Sequence, residues 1–158
     1  PAFFDYATTR AALWRERSIS AVREAGRNAD LAIFGVGAFS APLASHVYAS
    51  GYLGNEDVMR LRREGVVGDV CTVLVRSDGS YSDIEINSRA SGPTPEELQK
   101  IPRRLCVVAG PAKATALIGV LRSGAVTDLV VDDECAQRVL EESERPWRGR
   151  SSGAGISQ

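Results

Sequence analysis

The chain holds 158 residues and 16.9 kDa, enough for one domain with a sizeable core, and its 44% hydrophobic and 25% charged residues are those of an ordinary globular protein. A formal net charge of −1 argues against an extended nucleic-acid-binding surface. No apolar run approaches the ~20 residues that a bilayer span needs, and the first residues carry no signal-peptide pattern, so a cytoplasmic protein without a membrane partner is expected.

Residues 1–6, PAFFDY, are aromatic and apolar enough to pack on the core or on a preceding segment. Two helices are expected next, one capped by Thr8 or Thr9 and ending near Arg17, the other capped by Ser18 with Ile19, Val22 and Ala25 on one face and a stop around 26–28. Residues 30–36 read as a buried strand, followed by glycines at 35 and 37 that permit either close approach to a ligand or a simple tight turn. The loop over 38–54 contains the single histidine, His46, which reads as a ligand-contacting donor or as a structural loop residue. Asn55 should cap a helix with Val58 and Leu61 inward and Gly65 at its end. Residues 66–76 then read as one strand, turning at 77–80 (SDGS) and returning through 81–86 as the second arm of a hairpin.

Asp69 interrupts that apolar strand just after Gly68, an expensive place for a carboxylate unless a ligand hydroxyl or a backbone N–H satisfies it. Thr94-Pro95-Glu96-Glu97 supplies cap, first-position proline and acidic first turn for a short helix. Cys71, Cys106 and Cys135 are widely spaced in apolar stretches with no C-x-x-C pairing, so buried free thiols are expected and neither a metal nor a cofactor.

Residues 105–132 have the strongest local signature, a βαβ unit. Strands over 105–109 and 128–131 are apolar and continuous, as expected for a parallel sheet buried on both faces. Pro111 opens and Gly124 closes a helix over 111–123 whose Leu117, Val120 and Leu121 should face the sheet. Lys113 falls in the first turn. Unpaired N–H groups and the helix dipole favour an anion there, so a phosphate or carboxylate site stands beside the alternative of a solvated lysine. Of the 19 basic residues only Lys100 and Lys113 are lysine, which reads as coding bias. Asp132 or Asp133 should cap a last helix ending near Glu142, giving a domain over 1–142 and a Ser/Gly/Arg-rich tail over 143–158, with Trp147, expected to be disordered.

PAFF at the start, ADLAIFGVGA, the SGYLGNEDVMRLRREGVVGDVCTVLVRSDGS series and the closing IPRRLCVVAGPAKATALIGVLRSGAVTDLVVDDECAQRVLE block together resemble the C-terminal part of the effector-binding domain of the SorC/DeoR family of bacterial sugar-responsive transcription regulators. The resemblance implies an α/β fold with a mostly parallel sheet flanked by helices, similar to sugar-phosphate isomerases, aminosugar-phosphate deaminases and CoA-transferase-like proteins. It implies a phosphorylated sugar as effector, homo-oligomers, and DNA contacted only through a helix-turn-helix domain outside this chain. The effector-binding residues it points to are Gly35, Gly37, Asp69, Gly110, Ala112 and Lys113, with Asp69 on sugar hydroxyls and Lys113 near the phosphate. No catalytic residue is expected. A sugar-phosphate isomerase or deaminase on the same fold, with Asp69 as base, is the rival reading, and a truncated remnant acting through protein contacts is a third.

Overall fold

The computed structural model describes residues 1–39 and 51–144. Its strands are β1 (Leu31–Phe34), β2 (Val36–Ala38), β3 (Val66–Val70), β4 (Val73–Arg76), β5 (Arg103–Val108) and β6 (Asp128–Val131). The helices are α1 (Ala7–Leu13), α2 (Arg17–Arg27), α3 (Asn55–Arg63), α4 (Pro95–Leu98), α5 (Ala114–Arg122) and α6 (Asp133–Ser143), with 3-10 turns at Glu85–Arg89 and Pro111–Lys113. The parallel sheet has the order β1-β5-β6, and a second, antiparallel sheet has the order β2-β3-β4.

The βαβ unit is present. β5 and β6 run parallel from Leu105 opposite Asp128 to Val108 opposite Val131, and Gly124 takes the left-handed φ of 76° expected after a helix. The stretch over 111–123 divides into the Pro111–Lys113 turn and α5. α5 is buried more widely than one stripe, because it lies between the antiparallel sheet and α6. Leu117 and Val120 are core, but Leu121 is on the surface, contrary to the expectation that all three face the sheet. Close approach explains the small residues here. A Cβ on Gly68 would stand 2.2 Å from the Gly37 carbonyl oxygen and 2.6 Å from Ala116 Cβ, and one on Gly119 would stand 2.6 Å from the Arg76 carbonyl oxygen.

Three expectations about strands are corrected. The strand read over 30–36 breaks at Gly35: β1 pairs with β5, whereas β2 leaves to pair with β3. The strand read over 66–76 turns back at Cys71-Thr72, both at positive φ (48° and 72°), so the hairpin is β3-β4. The 77–80 turn does form, with Asp78 Oδ1 accepting from the Ser80 N–H at 2.9 Å, but no strand returns from it. Instead the Asn87 side chain serves the outer edge of β4, accepting from the Leu74 N–H at 2.8 Å and donating to the Leu74 carbonyl at 2.9 Å. Asn87→Ala would strand the N–H and carbonyl of the fully buried Leu74 and take a donor from the Tyr81 carbonyl, an expected loss of ~2 to 4 kcal/mol in stability, read from the urea midpoint.

The amino-terminal segment packs on the core through Phe3, which bridges to Ala90. Neither Thr8, Thr9 nor Ser18 caps a helix. α1 and α2 start after Tyr6 and Glu16 without side-chain caps, and are joined instead by Trp14, which lies between the guanidiniums of Arg10 and Arg23 at 3.7 and 3.6 Å. Arg23 and Arg27 pair with Glu97 of α4 at 3.2 and 2.6 Å. Burial acts to raise the Glu97 carboxyl, but hydrogen bonds from Arg27 and the Thr94 N–H hold it below the usual range. The cap of α4 is as expected, with Thr94 Oγ1 accepting from the Glu97 N–H at 3.1 Å and Glu97 Oε2 accepting from the Thr94 N–H at 3.2 Å. At α3 the N-cap position belongs to Gly54, whose N–H donates to Asp57 Oδ2 at 3.1 Å, and Gly65 takes the left-handed conformation after it. α6 runs through Ser143; Trp147 and residues 145–158 lie outside the described residues.

Candidate functional site

At the carboxyl end of β5 the chain reaches Gly110, whose φ of 97° only glycine adopts readily. The Pro111–Lys113 turn follows and delivers Lys113 to the N-cap position of α5. Ala112 is half-buried in the middle of that turn. Backbone donors of the turn are largely committed: the Gly110 N–H donates to Asp132 Oδ2 at 2.8 Å, the Lys113 N–H donates to the Gly110 carbonyl at 3.0 Å, and Pro111 has none. Recognition of an anion therefore falls chiefly on the Lys113 ammonium. It forms no ion pair among the described residues. Its charge is felt at two thiols. Burial pushes Cys106 up to about 11 and also raises Cys135, and Lys113 opposes both shifts.

Asp69 is 5% exposed in the middle of β3, between Gly37 on β2 and Leu74 on β4. Alternation along the strand puts its side chain on the face shared with Gly37 and Leu74, away from Gly68, which meets α5. Gly37 contributes no side chain to that face, so the strand beside the carboxylate is bare backbone. Burial first, and then the Asp69 charge, push the neighbouring Cys71 thiol up to about 11.

The Pro111–Lys113 turn packs against β2, which carries Gly37, and Gly35 is the hinge between β1 and β2. A Cβ on Gly35 would stand 3.4 Å from the Val107 carbonyl oxygen, so its backbone lies against β5. Gly35, Gly37, Gly110, Ala112 and Lys113 thus gather where the two sheets diverge, at the carboxyl ends of β1 and β5, where ligands collect on open parallel sheets, and Asp69 stands beside Gly37 on β3. Asp69 and Lys113 start from different sides of the antiparallel sheet, so a ligand touching both must pass around the β2 edge. His46 lies outside the described residues. Among the described residues no three His, Cys, Asp or Glu side chains gather to hold a metal ion.

The sequence marks one further residue of this region, Asp132, only as a helix cap. Asp132 does cap α6, accepting from the Cys135 N–H at 2.9 Å through Oδ1, while its other oxygen holds Gly110. The signal was the register of β5 and β6: with Val108 opposite Val131, the residue after β6 falls beside the turn that leaves β5.

The Sugar-bind family model, a sugar-binding domain, matches residues 1–141, and the chain belongs to that family. Over 129 residues it is 30% identical to the transcriptional regulator LsrR of Enterobacter sp. (strain 638), covering 81% of this chain and 40% of that protein. The deoxyribonucleoside regulator of Bacillus subtilis (strain 168) is 25% identical over 142 residues, 90% of this chain and 44% of the regulator. Among solved structures, a domain of a possible sugar-binding transcriptional regulator from Arthrobacter aurescens TC1 superposes with a TM-score of 0.79 at 45% identity, over 89% of this chain and 53% of that one. The full-length sorbitol operon regulator SorC of Klebsiella pneumoniae, at 20% identity and a TM-score of 0.78, shares the fold. The chain spans about two fifths of the length of these curated relatives. The α/β fold with a parallel sheet flanked by helices is thus the one that the resemblance implied.

Proposed function

We propose that this chain is the ligand-sensing part of a sugar-responsive transcription regulator, and that its effector is a phosphorylated sugar. Lys113 holds the phosphate and Asp69 accepts hydrogen bonds from the sugar hydroxyls, while Gly35, Gly37, Gly110 and Ala112 let the ligand approach the backbone. The observation that carries this reading is Lys113 itself, a half-buried lysine at the start of a buried helix, with no ion pair among the described residues. A cation in that position opposes the helix dipole by a few tenths of a kcal/mol, a cost that a bound anion reverses. In the whole protein, DNA binding belongs to another domain, the assembly is a homo-oligomer in the cytoplasm, and the role of the effector is allosteric rather than catalytic. The relatives' printed roles as transcription regulators support that assignment.

Calorimetry against paired sugars, with and without phosphate, tests the effector class; tighter binding of every unphosphorylated partner would overturn it. Asp69→Asn separates sensor from enzyme. The amide keeps an acceptor, so a sensor should lose ~1 to 2 kcal/mol of binding. A general base would retain binding and lose ~10²-fold or more in turnover. Isomerisation of ribose-5-phosphate or deamination of glucosamine-6-phosphate by the unmutated full-length protein, abolished by Asp69→Asn, would reverse the assignment.

A further inference from the structure

α1 and α2 are held to the rest of the fold by charge rather than by a shared core. Neither helix contains a buried residue, and among the described residues no member of 7–27 belongs to either apolar core. The α2 face of Ile19, Val22 and Ala25 is open, with Val22 at 71% exposure. A helix of a globular protein ordinarily owes its stability to an apolar face packed on its neighbours, so another force must fix this pair. Residues 7–27 carry five arginines against two glutamates. Three of the arginines make the attachment: Arg10 donates to the Ser88 carbonyl, and Arg23 and Arg27 both donate to Glu97 Oε1. Trp14, stacked between Arg10 and Arg23, joins α1 to α2 so that the two helices move together.

Glu97 stands on the rooted side of this contact. α4 buries Pro95 and Leu98, and Gln99 donates to the Ser123 carbonyl at the end of α5 at 2.9 Å. The two carboxylate oxygens divide their partners: Oε2 accepts from the Thr94 N–H and closes the α4 cap, which leaves Oε1 for both guanidiniums. One oxygen atom thus carries the two ion pairs, and the Arg27 side chain is 49% exposed. Pairs this open to solvent are individually weak and are screened by salt. A segment held in that way opens at a free energy below that of the whole molecule. Its position matters to the fold because α2 leads through residues 28–30 into β1, which ends at Gly35 beside the candidate site.

We propose that α1 and α2 form a strap latched by Glu97, which swings open as a unit, without unfolding of the sheets or α5, when the Arg23 and Arg27 contacts are released. The strap is independent of which ligand Lys113 takes.

Hydrogen exchange of the 158-residue protein, followed by mass spectrometry, tests the latch. In the unsubstituted chain residues 7–27 should be protected, but less than α5. Glu97→Gln is the informative variant, because glutamine still closes a capping box while its amide nitrogen then meets the two guanidiniums as a third donor. Exchange over 7–27 should quicken about tenfold, with α5 and residues 98–101 unchanged. Arg27→Gln removes one ion pair from the other side and should give a smaller change in the same direction. Raising sodium chloride from about 0.1 M to about 1 M should loosen 7–27 in the unsubstituted chain and have no further effect on Glu97→Gln. Exchange of 7–27 in step with α5, or no protection there at all, overturns the proposal. So does a strap indifferent to both substitutions, or one that loosens only together with α5.

Discussion

Lys113→Ala is expected to weaken a phosphorylated effector ten- to a hundredfold while leaving its unphosphorylated counterpart nearly unchanged. The lost contact is a charge-assisted hydrogen bond, worth roughly 1.5 to 3 kcal/mol. Few other donors in the Pro111–Lys113 turn can substitute, because Pro111 has no N–H and those of Gly110 and Lys113 are committed within the protein. Calorimetry on the full-length protein with a sugar and its phosphate checks the claim. Equal weakening of both would assign Lys113 to folding or to the sugar ring.

The second large effect is on folding. Gly68→Ala must move either the Gly37 backbone or the α5 helix, since the new methyl would enter the space of a carbonyl oxygen and of Ala116 at once. A cost of ~3 kcal/mol or more follows, because neither obstacle is the end of a mobile side chain. Gly26→Ala is the control. It lies in α2 with nothing within 4 Å of the added carbon, and the gain in helix propensity should stabilise by ~0.5 to 1 kcal/mol. Urea denaturation of the two variants should move in opposite directions; similar midpoints would mean that α5 does not rest on the sheet backbone as described.

The elements legible in the sequence were those whose signals are local. Pro111, Gly124 and the apolar period between them fixed the βαβ unit, and Thr94 with Glu97 fixed the cap of α4. The β3-β4 turn was not legible, because neither Cys71 nor Thr72 is a turn residue. Its backbone is supported from 20 residues away, where the Gly92 N–H donates to Thr72 Oγ1 at 3.1 Å and the absence of a side chain on Gly92 makes room for the Cys71 carbonyl. Asn87 replaced an expected strand for the same kind of reason, since nothing local distinguishes an asparagine in a turn from one reaching β4. At the candidate site, Lys113 and Asp69 stood out singly by charge in apolar surroundings. Their relative placement did not, because it depends on the break at Gly35 and on β3 pairing with β2. The continuous apolar composition of β5 suits two-sided burial, whereas the structure covers one side.

Asp132 has a mechanical consequence. One rigid carboxylate joins the Gly110 amide to the first turn of α6, so displacement of the turn that precedes Lys113 is passed to α6 over two hydrogen bonds of 2.8 and 2.9 Å. An effector that moved this turn, as proposed for Lys113, would therefore move α6 with it and carry the signal to the outer surface of the molecule.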